Sequence, residues 1–490
     1  MGWIKEMLQN WLEIVPAQGQ RVRIEENTTF AQEALRNKLW YRGDAAEIEQ
    51  YYKQTEQYGY CTGARFWAAV PETESVRKMH SGLPAMIVDT LTYIVKADME
   101  PVDFGGDTQA AGKWEQIEAD CDFRALVGKA IREALVVGDG AFKLSVDTEL
   151  SEYPIVEFVP GDRVDYIIKR GRLCGVDFWT RRCGDKGKYS LRERYEPGRV
   201  SYALFDGDKE VPLDRAEECK GLMPVEFSGE YLMAVPFKVY EHPRFYGRGK
   251  SVFDSKTDVF DAHDEVISQW MDAIRAGRVQ KYIPEDMIPR DPKTGSLLTP
   301  NTFGSHFVAL EANAKEGVAS KIDTIQPEIR YDAFLSTYSA TLNMCLQGVL
   351  SPATLGIDVG RMASGEAQRE KKDVTGYTRN AITDALEKTL PVLVSAVLKT
   401  YDNMLDQAPE EYECTVSFGE YGAPDFDSRI NTVAAASGAD IMSIESQVDE
   451  LWGDSKDEAW KAAEVERIKR LRGIETESEP AVGGDLIDMG

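Results

Sequence analysis

The chain has 490 residues and a net charge of −26 at pH 7, with 43% hydrophobic and 29% charged residues. This length predicts two to four domains, and this composition is that of a folded soluble protein. The negative charge excludes tight DNA binding over the general surface, because the phosphates would be repelled. No run of about eighteen apolar residues occurs, so we expect no contact with a membrane.

The cysteines and histidines predict neither a disulfide framework nor a metal site. The seven cysteines are odd in number and form no CxxC pair, and the four histidines are isolated along the sequence. We therefore expect reduced thiols, no cofactor and no bound metal.

The first 140 residues show mainly helical patterns. Thr29 precedes an apolar stripe that Gly43 ends, and Asp44 is placed to cap the next helix. Further helical patterns cover residues 83–95 and 114–137. Between residues 141 and 240 the period changes to two, which predicts an antiparallel β module inserted between helical segments.

The organising stretch begins with a predicted helix over residues 251–281. One face is an apolar stripe for packing, formed by Val259, Phe260, Val266, Ile267, Trp270 and Ile274. Five carboxylates fall on the opposite side, at Asp254, Asp258, Asp261, Glu265 and Asp272. An ordinary solvated helix face accounts for these acids equally well.

A small β excursion over residues 282–326 separates this helix from a second one, 327–349. The second helix carries its own apolar stripe, formed by Tyr331, Phe334, Tyr338 and Leu342. The sequence therefore predicts a hairpin of two helices with a β tip.

Residues 350–364 form a loop, because Pro352, Gly356 and Gly360 interrupt any helix there. Ser364 is a good N-cap for a helical pattern that runs to about residue 405. Pro391 lies inside that pattern and predicts a kink near residues 387–391. Three further helices are predicted over 426–472, followed by an acidic, disordered tail.

Two enzyme signals fail on inspection. Gly249-Lys250-Ser251 ends like a phosphate-binding loop, but the glycine that should stand five places earlier is Arg244. The carboxylates of the first long helix could hold Mg²⁺ for phosphoryl chemistry, yet they run along the helix rather than converge, and no histidine or lysine accompanies them.

The order of several segments resembles the portal proteins of long-tailed bacteriophages. The resemblance covers nearly the whole chain and is carried by the segments RFWAAVPE, HPRFYGRGKSVFD, SPATLGIDVGRMASGEAQREKKD and IMSIESQVDELWGDSKDEAWKAAEVERIKR. It implies an α+β subunit of a ring of about twelve copies at one capsid vertex. Double-stranded DNA would enter and leave through that ring.

The resemblance also implies an assignment of segments and partners. Residues 1–250 would form the wing. The two stem helices would be 251–281 and 327–349, with the clip, 282–326, between them. The channel loop would be 350–364, followed by a kinked wing helix over 365–405, the crown over 406–473 and a disordered tail over 474–490. The partners would be other copies of the chain, the DNA, the terminase large subunit, the head–tail adaptor, and the major capsid and scaffolding proteins. The protein would lie in the virion, and in the host cytoplasm during assembly.

On this interpretation the acidic helix face lines a channel and repels the DNA backbone evenly, while the apolar faces pack between subunits. The channel loop would present Thr354, Leu355, Ile357, Asp358, Val359, Arg361 and Met362. Arg361 would contact the DNA backbone or pair with an acid of the next subunit.

The protein would not be an enzyme. The alternatives are a Mg²⁺-dependent enzyme acting on nucleic acid through the carboxylates, and a capsid scaffold or coat component.

Overall fold

The structure is a computed structural model. It describes residues 28–57, 65–69, 77–184, 187–277, 280–284, 290–296, 306–310, 323–325, 328–357, 365–419, 426–439, 441–453 and 456–473. The described chain is α+β, as the sequence predicts, and divides into two compact units, Met1–Phe418 and Gly419–Gly490. No helix in these ranges is both long and apolar enough to cross a bilayer.

Among the described residues, six helices precede the first strand: α1 (Phe30–Arg42), α2 (Ala45–Gln57), α3 (Phe66–Ala69), α4 (Leu83–Ala97), α5 (Thr108–Cys121) and α6 (Phe123–Val137). The predicted start and end signals of α1 are confirmed. Thr29 and Gln32 form a reciprocal capping box, and Gly43 ends the helix with φ of 70°. The Asp44 carboxylate accepts from the backbone N–H of Ala46 at 2.8 Å, so it caps α2.

The predicted period-two region forms two sheets rather than one module. Its strands are β1 (Asp139–Ser145), β2 (Ile155–Pro160), β3 (Val164–Lys169), β4 (Arg172–Cys183), β5 (Tyr189–Glu196), β6 (Arg199–Asp206), β7 (Lys209–Val211), β8 (Val225–Glu226) and β9 (Ala234–Lys238). One sheet has the order β2-β1-β9, and the other the order β3-β4-β5-β6-β7 with β8 beside β6. Every pair in these two sheets is antiparallel.

The core of the first unit lies where α4, α6 and the β2-β1-β9 sheet meet. Phe142 of β1 packs edge to face on Phe158 of β2, with ring centroids 5.0 Å apart, and both side chains are buried. Val127 and Ile131 of α6 are fully buried in the same cluster. The N-terminal helices and the first sheet therefore share one hydrophobic core.

A helix, a small sheet and a second helix follow. These are α7 (Thr257–Ala276), the strands β10 (Gln280–Pro284), β11 (His306–Leu310) and β12 (Asp323–Ile325), and α8 (Tyr331–Leu346). In the sheet, β10 pairs with β11 in parallel and with β12 antiparallel. The predicted first helix is therefore too long at both ends, because residues 251–256 precede the helix and Gln280 and Lys281 belong to a strand.

Helix α9 (Gly365–Met404) spans forty residues and contains Pro391. Its residues form one continuous helix. The kink expected near residues 387–391 remains a prediction. Residues 406–418, predicted to open a crown, belong to the first unit, where Asp103 and Thr415 form an antiparallel bridge.

The second unit contains α10 (Phe426–Gly438), α11 (Ile444–Trp452) and α12 (Glu458–Leu471), as the sequence predicts. Ser443 caps α11 by accepting from the backbone N–H of Ser446. Ile444, Val448 and Val465 are buried between the last two helices. The tail 474–490 lies outside the described residues.

Candidate functional site: the helix pair

Helices α7 and α8 pack against each other along their aromatic stripes. Trp270 stacks on Phe334 with ring centroids 6.1 Å apart and planes 6° apart, and Trp270 also meets the edge of Tyr338. Closer to the body, the His263 ring lies 5.0 Å from that of Tyr338, and its Nδ1 is 2.8 Å from the hydroxyl of Thr341. Trp270, Phe334 and Tyr338, which belong to the apolar stripes predicted for packing, therefore contact one another across the pair.

The first half of α7 is fixed to the body through Asp261. Its two carboxylate oxygens accept from the backbone N–H groups of Phe66 and Trp67, at 2.9 and 3.2 Å. These donors belong to α3, whose own first turn leaves them without helical acceptors. Burial raises the pKa of the Asp261 carboxyl, and the two backbone donors oppose that rise. Asp261 is 6% exposed, so the prediction that it faces a channel is wrong for this residue.

One turn further along, Asp264 makes a second attachment that the sequence did not predict. Its side chain is fully buried and accepts from the backbone N–H of Ser81 at 2.9 Å, and lies 2.7 Å from Nδ1 of His80. Ser268, one turn on, accepts from the backbone N–H of Met79 at 2.9 Å. Asp261, Asp264 and Ser268 share one face of α7 at helical spacing, which is the signal the sequence offered.

The remaining predicted acids do not form one column. Asp254 lies before the helix, where it accepts from Asn37 at 3.1 Å and pairs with Arg36, so its predicted place in the column is also wrong. Asp258 forms an ion pair with Arg65 and has a side chain 73% exposed. Glu265 and Asp272 are half-buried and lie along the same line of the helix as Asp261. Burial and the nearby Asp261 carboxylate raise the pKa of Glu265.

Large apolar side chains remain exposed on the part of the pair that lies beyond these attachments. Met271 and Ile274 of α7 are 38% and 44% exposed, and Tyr331 and Leu335 of α8 are 61% and 50% exposed. Val259, Val266 and Ile267 are half-buried, whereas Phe260 and Leu342 are buried near the body. The pair is therefore packed at its base and has an unpartnered apolar surface further out.

The base of the predicted channel loop is attached to α9. Thr375, fully buried in that helix, accepts from the backbone N–H of Ser351 and bonds the hydroxyl of Thr354, each at 3.0 Å. Leu355 and Ile357 are partly buried against the main core. Asp358, Val359, Arg361, Met362 and the predicted cap Ser364 lie outside the described residues.

The segment that resembles a phosphate-binding loop has a structural role. The Arg248 guanidinium bonds the buried carboxylate of Asp139 at 2.9 Å and lies 3.8 Å from the centroid of the Phe30 ring. The backbone N–H of Gly249 donates to the same carboxylate at 2.6 Å. A Cβ added at Gly249 would lie 2.1 Å from the carbonyl oxygen of Gly138, so this position accepts only glycine. The segment therefore joins α1 to the start of β1.

Glu33, His242 and Asp254 bring ligand-type atoms within 4.8 Å of one another. However, Nδ1 of His242 accepts from the backbone N–H groups of Arg244 and Phe245, both at 3.1 Å. The proton of the neutral ring is therefore on Nε2, the atom that faces the two carboxylates, and that atom has no lone pair for a metal. This group is a hydrogen-bonded junction between α1 and the segment before α7.

No protein family and no curated protein matches the chain. Solved structures of gene transfer agent (GTA) particles are similar at a low level. The neck of a native particle computed with C12 symmetry gives 14% identity over 74% of this chain and 88% of that chain, with a TM-score of 0.38. The virion of the native particle gives 13% identity over 91% of this chain and 96% of that chain, with a TM-score of 0.36.

Proposed function

We propose that this chain is the subunit of a ring of about twelve copies, a phage portal that conducts double-stranded DNA into and out of a capsid. The observation that carries the proposal is the helix pair, which is fixed to the body at its base and has exposed apolar side chains further out. The ring would dock the terminase motor and later the head–tail adaptor at the small sheet. It would lie at one vertex of the virion, among the capsid and scaffolding proteins.

The outer part of the helix pair supports association with further copies. In the described part of the chain, the small sheet between the two helices has three strands, of five, five and three residues. Sheets this small are marginal in water without a covering layer. Neighbouring copies would supply that layer and cover Met271, Ile274, Tyr331 and Leu335.

The charge distribution supports a conduit that does not hold DNA. With Asp254 and Asp261 used for attachment, the acids available to face a channel are Asp258, Glu265 and Asp272. A ring would repeat each of them once per copy and spread a negative field around the channel. The backbone of a moving duplex would then meet even repulsion.

We propose also that the carboxylates of α7 do not form a Mg²⁺ centre. Metal-dependent phosphoryl transfer needs carboxylates that converge on one point. Asp261 is directed at α3, Asp264 at His80 and Asp258 at Arg65. Their different directions favour the conduit over a metal-dependent enzyme.

Native mass spectrometry of two matched variants tests the proposal. Leu335→Glu places a charge in the exposed apolar surface of α8, and Ser336→Glu places the same charge at the exposed polar position beside it. We expect wild type and Ser336→Glu to form closed rings and Leu335→Glu to remain as smaller species. A wild-type chain that forms open shells would favour the scaffold or coat alternative, and identical assembly of all three proteins would contradict the proposed interface.

A further inference from the structure

Residues 163–205 form a basic island in an acidic chain. They contain eleven Lys or Arg and five Asp or Glu, a net of +6, so the other residues carry −32. These residues include β3, β4, β5 and most of β6. At an ionic strength of about 0.15 M, charges are screened over about 8 Å. A polyanion close to this cluster is therefore attracted by its cations, although the rest of the chain is acidic.

Three exposed cations of the island lie on the β3–β4 turn, residues 169–172. Lys169, Arg170 and Arg172 are all exposed, and the two strands pair directly through Lys169 and Arg172. Within the described chain none of the three forms an ion pair with an acid. Arg199, at the same end of the sheet, differs because Glu196 and Glu226 lie opposite it on the neighbouring strands. The three turn cations therefore have no acid paired directly opposite them on a described neighbouring strand.

The backbone of the turn gives an independent observation. Arg170 and Gly171 have φ values of 53° and 78°. Two-residue turns with positive φ at both positions strongly favour Asn-Gly, because asparagine tolerates this region far better than a long side chain. The other described non-glycine residues with positive φ are two aspartates and a serine. The chain thus keeps a cation where turn stability alone would favour asparagine, a departure that points to function.

We propose that the β3–β4 turn contacts the phosphate backbone of double-stranded nucleic acid without reading its sequence. The cations project from an exposed hairpin tip rather than into a cavity, which does not suit a small ligand. A duplex presents one phosphate per about 1.7 Å of its axis, so several cations can each neutralise a different charge. The choice of a duplex as the polyanion rests on the proposed conduit function.

This contact lies on a sheet that is separate in the chain from the helix pair. It would therefore give the subunit a weak, salt-dependent hold on DNA away from the acidic helix face. Sequence-independent contacts of this kind position a duplex and let it slide. A protein that conducts DNA would then have one surface that repels the duplex and another that holds it weakly.

Fluorescence anisotropy of a labelled duplex tests this contact with the full chain, titrated from about 50 to about 200 mM salt. The test variant carries Lys169→Gln, Arg170→Asn and Arg172→Gln. Asparagine at position 170 suits the turn, so the variant removes charge while favouring the fold. The control is Lys209→Gln, an exposed lysine of the same sheet that Asp206, Asp208 and Glu210 surround.

We expect the triple variant to bind more weakly and to lower the slope of log K against log salt by up to about 2.7, which is 0.9 for each of three phosphates. The control should leave the slope unchanged. Equal slopes for wild type and triple variant would overturn the proposal, as would a wild type that binds polyglutamate or anionic vesicles through this turn but not the duplex. Electron micrographs of the same samples report ring formation, so failure of this contact is distinguished from failure of the conduit proposal.

Discussion

The Oδ2 atom of Asp264 lies 2.7 Å from Nδ1 of His80, and neither side chain is more than 4% exposed. These residues are 184 positions apart in sequence. Their contact fixes the base of α7 to the segment before α4. The orientation of the helix pair on the body therefore depends on a buried carboxylate that accepts from both a ring and the backbone.

Replacing Asp264 with alanine should destabilise the first unit by about 3 kcal/mol. The substitution leaves His80 and the backbone N–H of Ser81 buried without an acceptor, and unpaired buried donors of this kind are costly. The urea midpoint of unfolding measures the effect. Asp272→Ala, at a half-buried position eight residues further along the same helix, should change stability by no more than about 0.5 kcal/mol, and similar losses for the two variants would contradict this account.

Replacing Arg248 with methionine should cost at least about 3 kcal/mol. The buried carboxylate of Asp139 would lose its guanidinium partner, and Phe30 would lose the cation packed on its ring. Thermal unfolding followed by circular dichroism measures the change. Lys250→Met, two residues away in the same segment, is the control. A phosphate-binding role would instead predict that Lys250→Met abolishes nucleotide binding while Arg248→Met does not.

Acid should loosen the contact between α7 and α8 through His263. Burial lowers the pKa of this ring below its ordinary value, so the unfolded state binds more protons. Stability should therefore be complete above about pH 6.5, the unfolded value, and fall as the pH drops below it. Unfolding midpoints measured about one pH unit above and below that value should differ less in His263→Gln than in wild type. His242 has a pKa lowered by burial as well, so part of the dependence should remain in the variant.

Replacing Thr375 with valine should release the base of the loop that begins at Leu350. The variant removes the acceptor of the Ser351 backbone N–H, a bond worth about 1 kcal/mol. Amide hydrogen exchange of residues 351–357 should accelerate about fivefold, the change that this free energy produces when exchange follows local opening. Thr389→Val, whose hydroxyl bonds within its own helix, should leave this segment unchanged. Equal protection in both variants would show that Thr375 does not hold the loop.

Local sequence patterns predicted the helices and strands well where alternation, turn residues or cap residues mark an element. β5 and β6 lie in the region predicted to be β-structure, because apolar residues alternate along them and turns flank them. Gly43 ends α1 and Asp44 caps α2, as expected. The division of the β region into two sheets was not predictable, because strand partners are chosen over long sequence separations.

The site was less predictable than the fold because its determinants are contacts between distant segments. Helical spacing placed Asp258 and Asp261 on one face, but only the position of α3 decides that Asp261 is buried. The first two residues of the strand Gln280–Pro284 were predicted as the end of a helix, because the strands that pair with them begin only at His306 and Asp323. Arg248 lies in a segment whose glycines and lysine resemble a phosphate-binding loop, and its carboxylate partner is 109 residues away in the sequence.

The central claim is that copies of this chain close into a ring, and class averages of the purified wild-type protein by electron microscopy test it most directly. The account predicts closed rings of about twelve copies, with a central hole wide enough for a DNA duplex and the helix pairs arranged around it. Monomers or dimers at every protein and salt concentration, with the exposed face of Tyr331 and Leu335 still accessible to solvent, would contradict it.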